Sequence, residues 1–367
     1  MAPAHDDRRH LSRTLELAQR GRLWVSPNPM VGCVVVKNGR VIAEGYHRRF
    51  GGPHAEAVAL KAAGRAARGS TLYVNLEPCS HQGKTPPCAE SIIRSGVKTV
   101  VASTRDPNSL VSGEGFRLLR ASGIEVRIGV LEREATLLNE KFFWHHAHSA
   151  VFFAVKFAQT LDGRIADHRG QSRWITSLAA RKRAHELRSE YEALVVGAGT
   201  VLADDPALTV RLVKGRQPVR VILDGAFRVG PKARVFRSPG GRILLLTSIP
   251  ALHRNARRAL ELERQGVKVF GIGRSAEIQP HAVDVFLGEL GVSSALVEGG
   301  SHTVSAFLRK GVARKVYAFT APRLLGSGLP SIVFEKPVSL EGSLRLRDYS
   351  VERCGADVLI TGRLYGQ

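Results

Sequence analysis

One imidazole, one carboxyl and two thiols stand in this chain at a spacing that suits hydrolysis at a metal ion. Pro53-His54-Ala55-Glu56 is followed by Glu77-Pro78-Cys79 and then by Pro86-Pro87-Cys88. His54, Cys79 and Cys88 are borderline-to-soft donors that suit zinc. Three protein ligands leave a fourth position for water, which a catalytic zinc needs, whereas a structural zinc usually takes four. Zinc brings the pKa of such a water toward neutrality. Glu56 stands outside the donor set and is read as the proton shuttle. His81 is nearby, but no ligand is missing for it to supply. Cys33, inside an apolar run, and Cys354 read as ordinary buried thiols.

The flanking residues bear on the donors' chemistry. Thr85 is expected as an N-cap with Pro86 at the first helical position. Cys88 then lies in the first turn, where the positive end of the helix favours thiolate over thiol. His54 follows Pro53 at another expected helix start. A His-x-Glu with two later cysteines is also the constellation by which zinc deaminases attack an amino-substituted ring carbon, with the Glu as general acid and base.

Around these residues the pattern alternates between helix and strand, which implies a layered α/β sheet. His10–Arg20 places Leu11, Leu15 and Ala18 at helical spacing. Met30–Val36 and Val41–Gly45 flank Asn38-Gly39, a strong hairpin signal. A helix over His54–Ala63, a strand over Thr71–Leu76, a helix over Ala89–Ser95 closed by Gly96, a strand over Thr99–Ala102 and a helix over Phe116–Ala121 closed by Gly123 follow. Asn139–Ser149 is aromatic and His-rich without clear periodicity, and the domain junction is placed there.

The pattern then restarts. Strands are expected at Val151–Phe157, Ala193–Val196, Val219–Leu223, Ile243–Thr247, Val267–Ile272, Ala295–Val297 and Val316–Thr320, with a charged helix over Leu178–Tyr191. The β-branched runs indicate a sheet buried on both faces. Gly197-Ala198-Gly199-Thr200 marks a strand that turns tightly, but without a third glycine it is a weak dinucleotide signal. Glu298-Gly299-Gly300-Ser301 lies between a strand and an expected helix over Val304–Leu308. Glycines at such a turn, with amides at a helix N-terminus, favour phosphate.

With 367 residues the chain is long enough for two cores, and 44% hydrophobic with 23% charged residues describes a globular rather than a disordered chain. No apolar run is long enough to cross a bilayer, and Met1–Leu11 lacks the apolar stretch of a secretory signal. A cytoplasmic location is expected, where cysteines serve as metal ligands or buried thiols rather than disulfides. Lys and Arg outnumber Asp and Glu by 54 to 32, a formal net charge of +22. The basic residues are spread along the chain, with no tail and no stripe interleaved with aromatics. Anionic small-molecule ligands account for this better than nucleic acid.

Several stretches resemble one family. Pro27-Asn28-Pro29-Met30-Val31-Gly32-Cys33, Pro53-His54-Ala55-Glu56-Ala57, Leu76-Glu77-Pro78-Cys79-Ser80-His81 through Cys88, Asp106-Pro107-Asn108 and Gly113-x-Gly115 look like the bifunctional riboflavin-biosynthesis deaminase/reductase family. Leu161-Asp162-Gly163, Ser172-x-Trp174-Ile175-Thr176, Val196-Gly197-x-Gly199-Thr200-Val201, Asp204-Asp205-Pro206-x-Leu208-Thr209-x-Arg211 and Val297-Glu298-Gly299-Gly300 look like its second domain. The eight residues between Cys79 and Cys88, Ser80 to Pro87, stand where the Pro-Cys-x-x-Cys of cytidine-type deaminases has two. The resemblance implies an α/β chain with a cytidine-deaminase-like three-layer α/β/α domain over 1–148 and a dihydrofolate-reductase-like domain over 149–367.

By the same resemblance, the first domain would deaminate 2,5-diamino-6-(5-phosphoribosylamino)pyrimidin-4-one to 5-amino-6-(5-phosphoribosylamino)uracil. Zinc would be its metal, Glu56 its catalytic residue, and Asn28 a contact to the base, with Lys84 and His81 near phosphate. The second would reduce the ribosyl to a ribityl chain with NADPH. The cofactor would lie along Ala158, Trp174, Thr200, Asp204, Gly300, Ser301, His302 and Thr303. The substrate would meet Lys156, Ser172, Arg188, Leu208, Arg211 and Glu298, with Arg188 and Arg211 suited to its phosphate. The expected partner is a phosphorylated pyrimidine, with neither membrane nor nucleic acid, and the assembly a homo-oligomer. Departures from the family pattern occur at Gln159-Thr160, Ser301-His302-Thr303 and Val312-Ala313-Arg314-Lys315. Alternative readings are a tRNA or nucleoside deaminase, a zinc-stabilised non-enzyme, and a homologue with one inactive half.

Overall fold

The computed structural model describes residues 2–80, 87–108 and 112–364. His81, Lys84, Thr85 and Pro86 lie outside them. The chain divides into two compact units, Met1–Ser149 and Ala150–Gln367.

The first unit runs α1 (Ala2–Gln19), β1 (Gly32–Lys37), β2 (Arg40–Tyr46), α2 (Ala55–Ala63), β3 (Thr71–Val74), α3 (Cys88–Ser95), β4 (Thr99–Ala102), α4 (Glu114–Ala121), β5 (Glu125–Ile128), α5 (Glu132–Leu138) and α6 (Glu140–His148). Its sheet has the order β2-β1-β3-β4-β5. β1 is antiparallel to β2 and β3, while β3, β4 and β5 are parallel. Lys37 pairs with Arg40 across a two-residue turn in which Asn38 and Gly39 both have positive φ, the geometry that the Asn-Gly pair favours. Strand alternation sends Cys33, Val35, Leu72, Val74 and Val100 to one face, against Ala55, Ala59, Ile92 and Phe116 of the helices. Val34, Val36, Tyr73 and Val101 turn to the other, against Leu11 and Leu17 of α1. Helices therefore cover both faces, and the unit has three layers.

The second unit runs β6 (Phe152–Thr160), β7 (Arg164–Ala166), α7 (Leu178–Glu190), β8 (Ala193–Gly197), α8 (Ala198–Asp204), β9 (Val219–Leu223), α9 (Arg234–Arg237), β10 (Ile243–Thr247), α10 (Ile249–Arg254), α11 (Ala256–Arg264), β11 (Val267–Gly271), α12 (Pro280–Glu289), β12 (Ser294–Glu298), α13 (Ser301–Arg309), β13 (Ala313–Ala321), β14 (Leu329–Pro330), β15 (Arg347–Cys354) and β16 (Asp357–Arg363). The main sheet has nine strands in the order β11-β10-β9-β8-β12-β6-β13-β16-β15. The strands from β11 to β13 are parallel, and β16 and β15 close it antiparallel. β8, β10 and β12 are buried along their whole length, as their β-branched and aliphatic composition requires between two helical layers. β15 is different: it is exposed from Arg347 to Arg353.

Three local expectations are revised. α3 begins at Cys88 with Pro87 in the N-cap position, so Cys88 is the first residue of the helix. The Gly197–Thr200 turn runs directly into α8. The aromatic, His-rich stretch after Asn139 is helical, although none of its side chains is buried.

Candidate active sites

In the first unit the donors come from three segments. His54 is the N-cap residue of α2, Cys79 follows β3, and Cys88 opens α3. His54 Nδ1 lies 3.5 Å from Cys79 Sγ and 3.3 Å from Cys88 Sγ, and the three ligand atoms fall within 4.8 Å of one another. The Cys88 amide donates to Cys79 Sγ at 3.4 Å. Hydrogen bonds from Cys88 and His54 hold the Cys79 thiol down at about 4, against the cost of its burial. One nitrogen and two sulfurs, one already favouring thiolate, fit zinc.

Glu56, in the first turn of α2, is buried, and among the described residues its Oε2 has no hydrogen-bond partner. Burial, with the Cys79 charge adding to it, raises its carboxyl to about 7. A buried carboxylate oxygen without a partner is costly, and here it borders a cavity of about 330 Å³ that His54, Cys79 and Asn28 also line. The arrangement has what proton transfer to a bound molecule needs.

The cavity wall has two further supports that single residues in sequence do not announce. His47 Nδ1 lies 3.0 Å from the Pro53 carbonyl, which fixes the proton on Nδ1 and leaves Nε2 to accept from Asn28 Nδ2 at 3.2 Å. The Asn28 loop is gripped at Met30 as well: Asn139 Oδ1 accepts its N–H, and Asn75 and Asn139 both donate to its carbonyl. Phe142 and His146 of α6 complete the lining.

Glu77 has a structural task. Its buried carboxylate accepts from the amides of Asp106, Gly113 and Phe116, at 3.2, 3.0 and 3.3 Å, and so holds the N-terminus of α4 against the Cys79 loop. The approach is close enough that a Cβ on Gly115 would meet the Pro78 carbonyl oxygen at 2.0 Å. That contact explains the second glycine of Gly113-x-Gly115.

In the second unit a cleft of about 700 Å³ opens at the C-terminal ends of β6, β8 and β12, where open parallel sheets place ligands. Lys156, Ala158, Ser172, Trp174, Arg188, Thr200, Asp204, Leu208, Arg211, Glu298 and Gly300 line it. Ser301, His302 and Thr303 form the first turn of α13 beyond Gly300 and are not among the lining residues. Ser172 Oγ donates to Asp204 Oδ1 at 2.8 Å, and the Thr200 hydroxyl oxygen accepts the Gly300 amide at 2.8 Å.

Arg188 departs from expectation. Its Nε and Nη2 donate to the two oxygens of Glu298 at 2.9 and 2.8 Å, and Nη1 donates to the Thr209 carbonyl. The fork that would suit a phosphate is spent on a buried carboxylate. Burial alone would raise Glu298, but Arg188 and Lys156, the latter 4.0 Å away, hold it down at about 2. Glu298 is thus an anion at neutral pH and not a proton donor. The cleft carries six cations (Lys156, Arg173, Arg181, Arg188, Arg211, Arg234) against two carboxylates, Asp204 and Glu298, an excess that suits a polyanionic cofactor and a phosphorylated substrate.

Two family models match the chain. Residues 4–104 match the cytidine and deoxycytidylate deaminase zinc-binding region, and residues 151–360 match the RibD C-terminal domain. The riboflavin biosynthesis protein RibD of Aquifex aeolicus is 43% identical over 98% of this chain and 99% of its own length. That of Escherichia coli is 39% identical over 88% of this chain and 89% of its own. Among solved structures, RibD of Acinetobacter baumannii aligns with a TM-score of 0.88 at 35% identity, covering 99% of both chains. A diaminohydroxyphosphoribosylaminopyrimidine deaminase/5-amino-6-(5-phosphoribosylamino)uracil reductase from Thermotoga maritima aligns at 0.84 and 42% identity, again over 99% of each chain.

The Glu298 ion pair predicts a pH signature. The folded value of about 2 lies below the ordinary glutamate value of about 4.3. Its contribution to stability is therefore complete above that ordinary value and is lost as pH falls toward the folded one. Glu298→Gln leaves Arg188 and Lys156 buried without a counter-ion, an expected cost of about 3–5 kcal/mol at neutral pH. Thermal unfolding of both proteins across the acid range should show the gap narrowing as pH drops from about 5 to 2. A gap independent of pH contradicts the assignment.

Proposed function

The chain belongs to the RibD family of riboflavin biosynthesis proteins, and from that premise we propose which of its own residues carry each of two reactions. It is a bifunctional enzyme. A zinc-dependent deaminase converts 2,5-diamino-6-(5-phosphoribosylamino)pyrimidin-4-one to 5-amino-6-(5-phosphoribosylamino)uracil, and an NADPH-dependent reductase then turns the ribosyl into a ribityl chain. The observation that carries the first assignment is the convergence of His54, Cys79 and Cys88 beside the unpartnered Glu56 oxygen.

His54, Cys79 and Cys88 hold the metal. Zinc, when bound, supplies the Lewis acidity that makes water nucleophilic at neutral pH. Glu56 takes one proton of the attacking water at its buried oxygen and gives it to the ring nitrogen, then carries the second water proton from the new hydroxyl to the amino group, which leaves as ammonia, the two-way duty of a general acid and base. Asn28, held by His47, hydrogen-bonds the base. Phe142 and His146 narrow the cavity around a planar ring.

In the second unit, Ala158, Trp174, Thr200, Asp204 and the turn from Gly300 through Ser301, His302 and Thr303 hold NADPH, which supplies the hydride. Ser172, Leu208 and Arg211 face the substrate. Arg188 locks Glu298 as an anion, and Glu298 in turn keeps Lys156 charged against burial, so that Lys156 can give a proton to the sugar oxygen. A homo-oligomer in the cytoplasm completes the reading. None of the four cysteines is in a disulfide. The edge strand β15 leaves Tyr349 and Val351 exposed, a surface that pairing would cover. Sedimentation at micromolar concentration should therefore show a species larger than one chain, and a monomer alone would remove that part of the reading.

Glu56→Gln tests the deaminase assignment. Bound zinc should stay at one ion per first unit, while ammonia release from the diaminopyrimidine falls by about 10²–10⁴-fold. Undiminished ammonia release would refute the role given to Glu56.

A further inference from the structure

Among the described residues, two guanidinium groups of the reductase cleft have no counter-ion. Of its six cations, Arg188 and Lys156 are tied to Glu298. Arg181 lies over the Trp174 ring, 3.9 Å from its centre, and Arg173 donates to the Asp204 carbonyl. Arg211 and Arg234 remain. Among the described residues neither guanidinium has a hydrogen-bond or ion-pair partner, although both line the cleft. They repel one another: burial and then the neighbouring arginines, Arg234 among them, lower Arg211 from the ordinary arginine value. Like charges held together without a counter-ion cost free energy that a bound anion recovers.

The backbone beneath both side chains is anchored. His185, buried in α7, accepts the Arg211 amide at its Nδ1 at 3.1 Å. Its low pKa of about 3, from burial and the Arg188 charge, keeps that nitrogen free to accept. Asp205 Oδ1 accepts the Arg234 amide at 2.7 Å. Arg220, a fully buried guanidinium, donates through one nitrogen to the carbonyls of Ala207 and Val235, at 3.2 and 2.8 Å. It thereby ties the loop that carries Leu208 to the turn that carries Arg234. Fixed backbone on both sides limits the entropy lost when two long side chains close on a ligand.

We propose that Arg234 joins Arg211 as the pair that grips the phosphomonoester of the reductase substrate, the bidentate role that Arg188 cannot fill. The assignment rests on the reductase reading above. It deepens that reading by giving the phosphate to a residue that no sequence motif marked. The alternative anion in the same cleft is the 2′-phosphate of the cofactor, and the test separates the two.

The test uses full-length Arg234→Gln and Arg234→Lys. Calorimetric binding of 5-amino-6-(5-phosphoribosylamino)uracil without cofactor, and its KM with NADPH, should weaken about tenfold or more in Arg234→Gln, the loss of a charge-assisted hydrogen bond. Arg234→Lys, which keeps the charge and loses the fork, should fall between. The dephosphorylated uracil riboside should bind both variants as it binds the unaltered protein, and the KM for NADPH should stay unchanged. Equal weakening toward both uracil compounds, or no weakening at all, overturns the proposal. So does a loss confined to NADPH and absent with NADH, which would give Arg234 to the cofactor. Failure of the unaltered protein to oxidise NADPH with either compound would overturn the reductase reading itself, and the proposal with it.

Discussion

Three donor atoms within 4.8 Å, beside a carboxyl oxygen with no partner, are an expensive arrangement to bury without a cation. Two thiols and a carboxyl would otherwise compete for protons, and the low value at Cys79 is one sign of that competition. The surrounding elements make sense as the means of holding this cluster. The α2 N-terminus presents His54, the α3 N-terminus presents Cys88, and the parallel strand β3 delivers Cys79 between them. Glu77 then braces the Cys79 loop by drawing the start of α4 onto it.

The second unit meets a related problem with different means. A buried Glu298 is tolerated because Arg188 satisfies both of its oxygens, and a pair of that kind favours one geometry more than it adds stability. The cleft around it keeps an excess of positive charge, which matches ligands that carry phosphates. Part of the basic character of the chain thus has a local purpose, since six of its cations line a single cleft.

The sequence is most legible where one physical rule acts alone. Ile243–Thr247 is a strand over the expected residues, because a parallel strand buried on both faces needs a nearly continuous apolar run, and Val219–Leu223 is one too, although Arg220 interrupts its apolar residues. Asn38-Gly39 turns where it should, since two consecutive positive φ values suit few other pairs. His54, Cys79 and Cys88 are legible because metal chemistry restricts residue type as strongly as spacing. α6 is not legible: with no buried side chain it has no apolar stripe to read, and it lends Phe142 and His146 to the cavity instead. β15 is hidden for a similar reason, since nearly every residue in it is exposed. The Arg188–Glu298 pair joins residues 110 apart in the chain, and His47 acts through contacts 6 and 19 residues away that only the fold brings together, so local pattern carries no trace of either.

X-ray absorption at the zinc edge of the purified, metal-loaded protein bears most directly on the central claim. Two sulfur scatterers at about 2.3 Å, one imidazole nitrogen and one further light atom from solvent are expected, with one sulfur lost in Cys88→Ser. A shell of four protein side chains, or a sulfur count other than two in the unaltered protein, would contradict that claim.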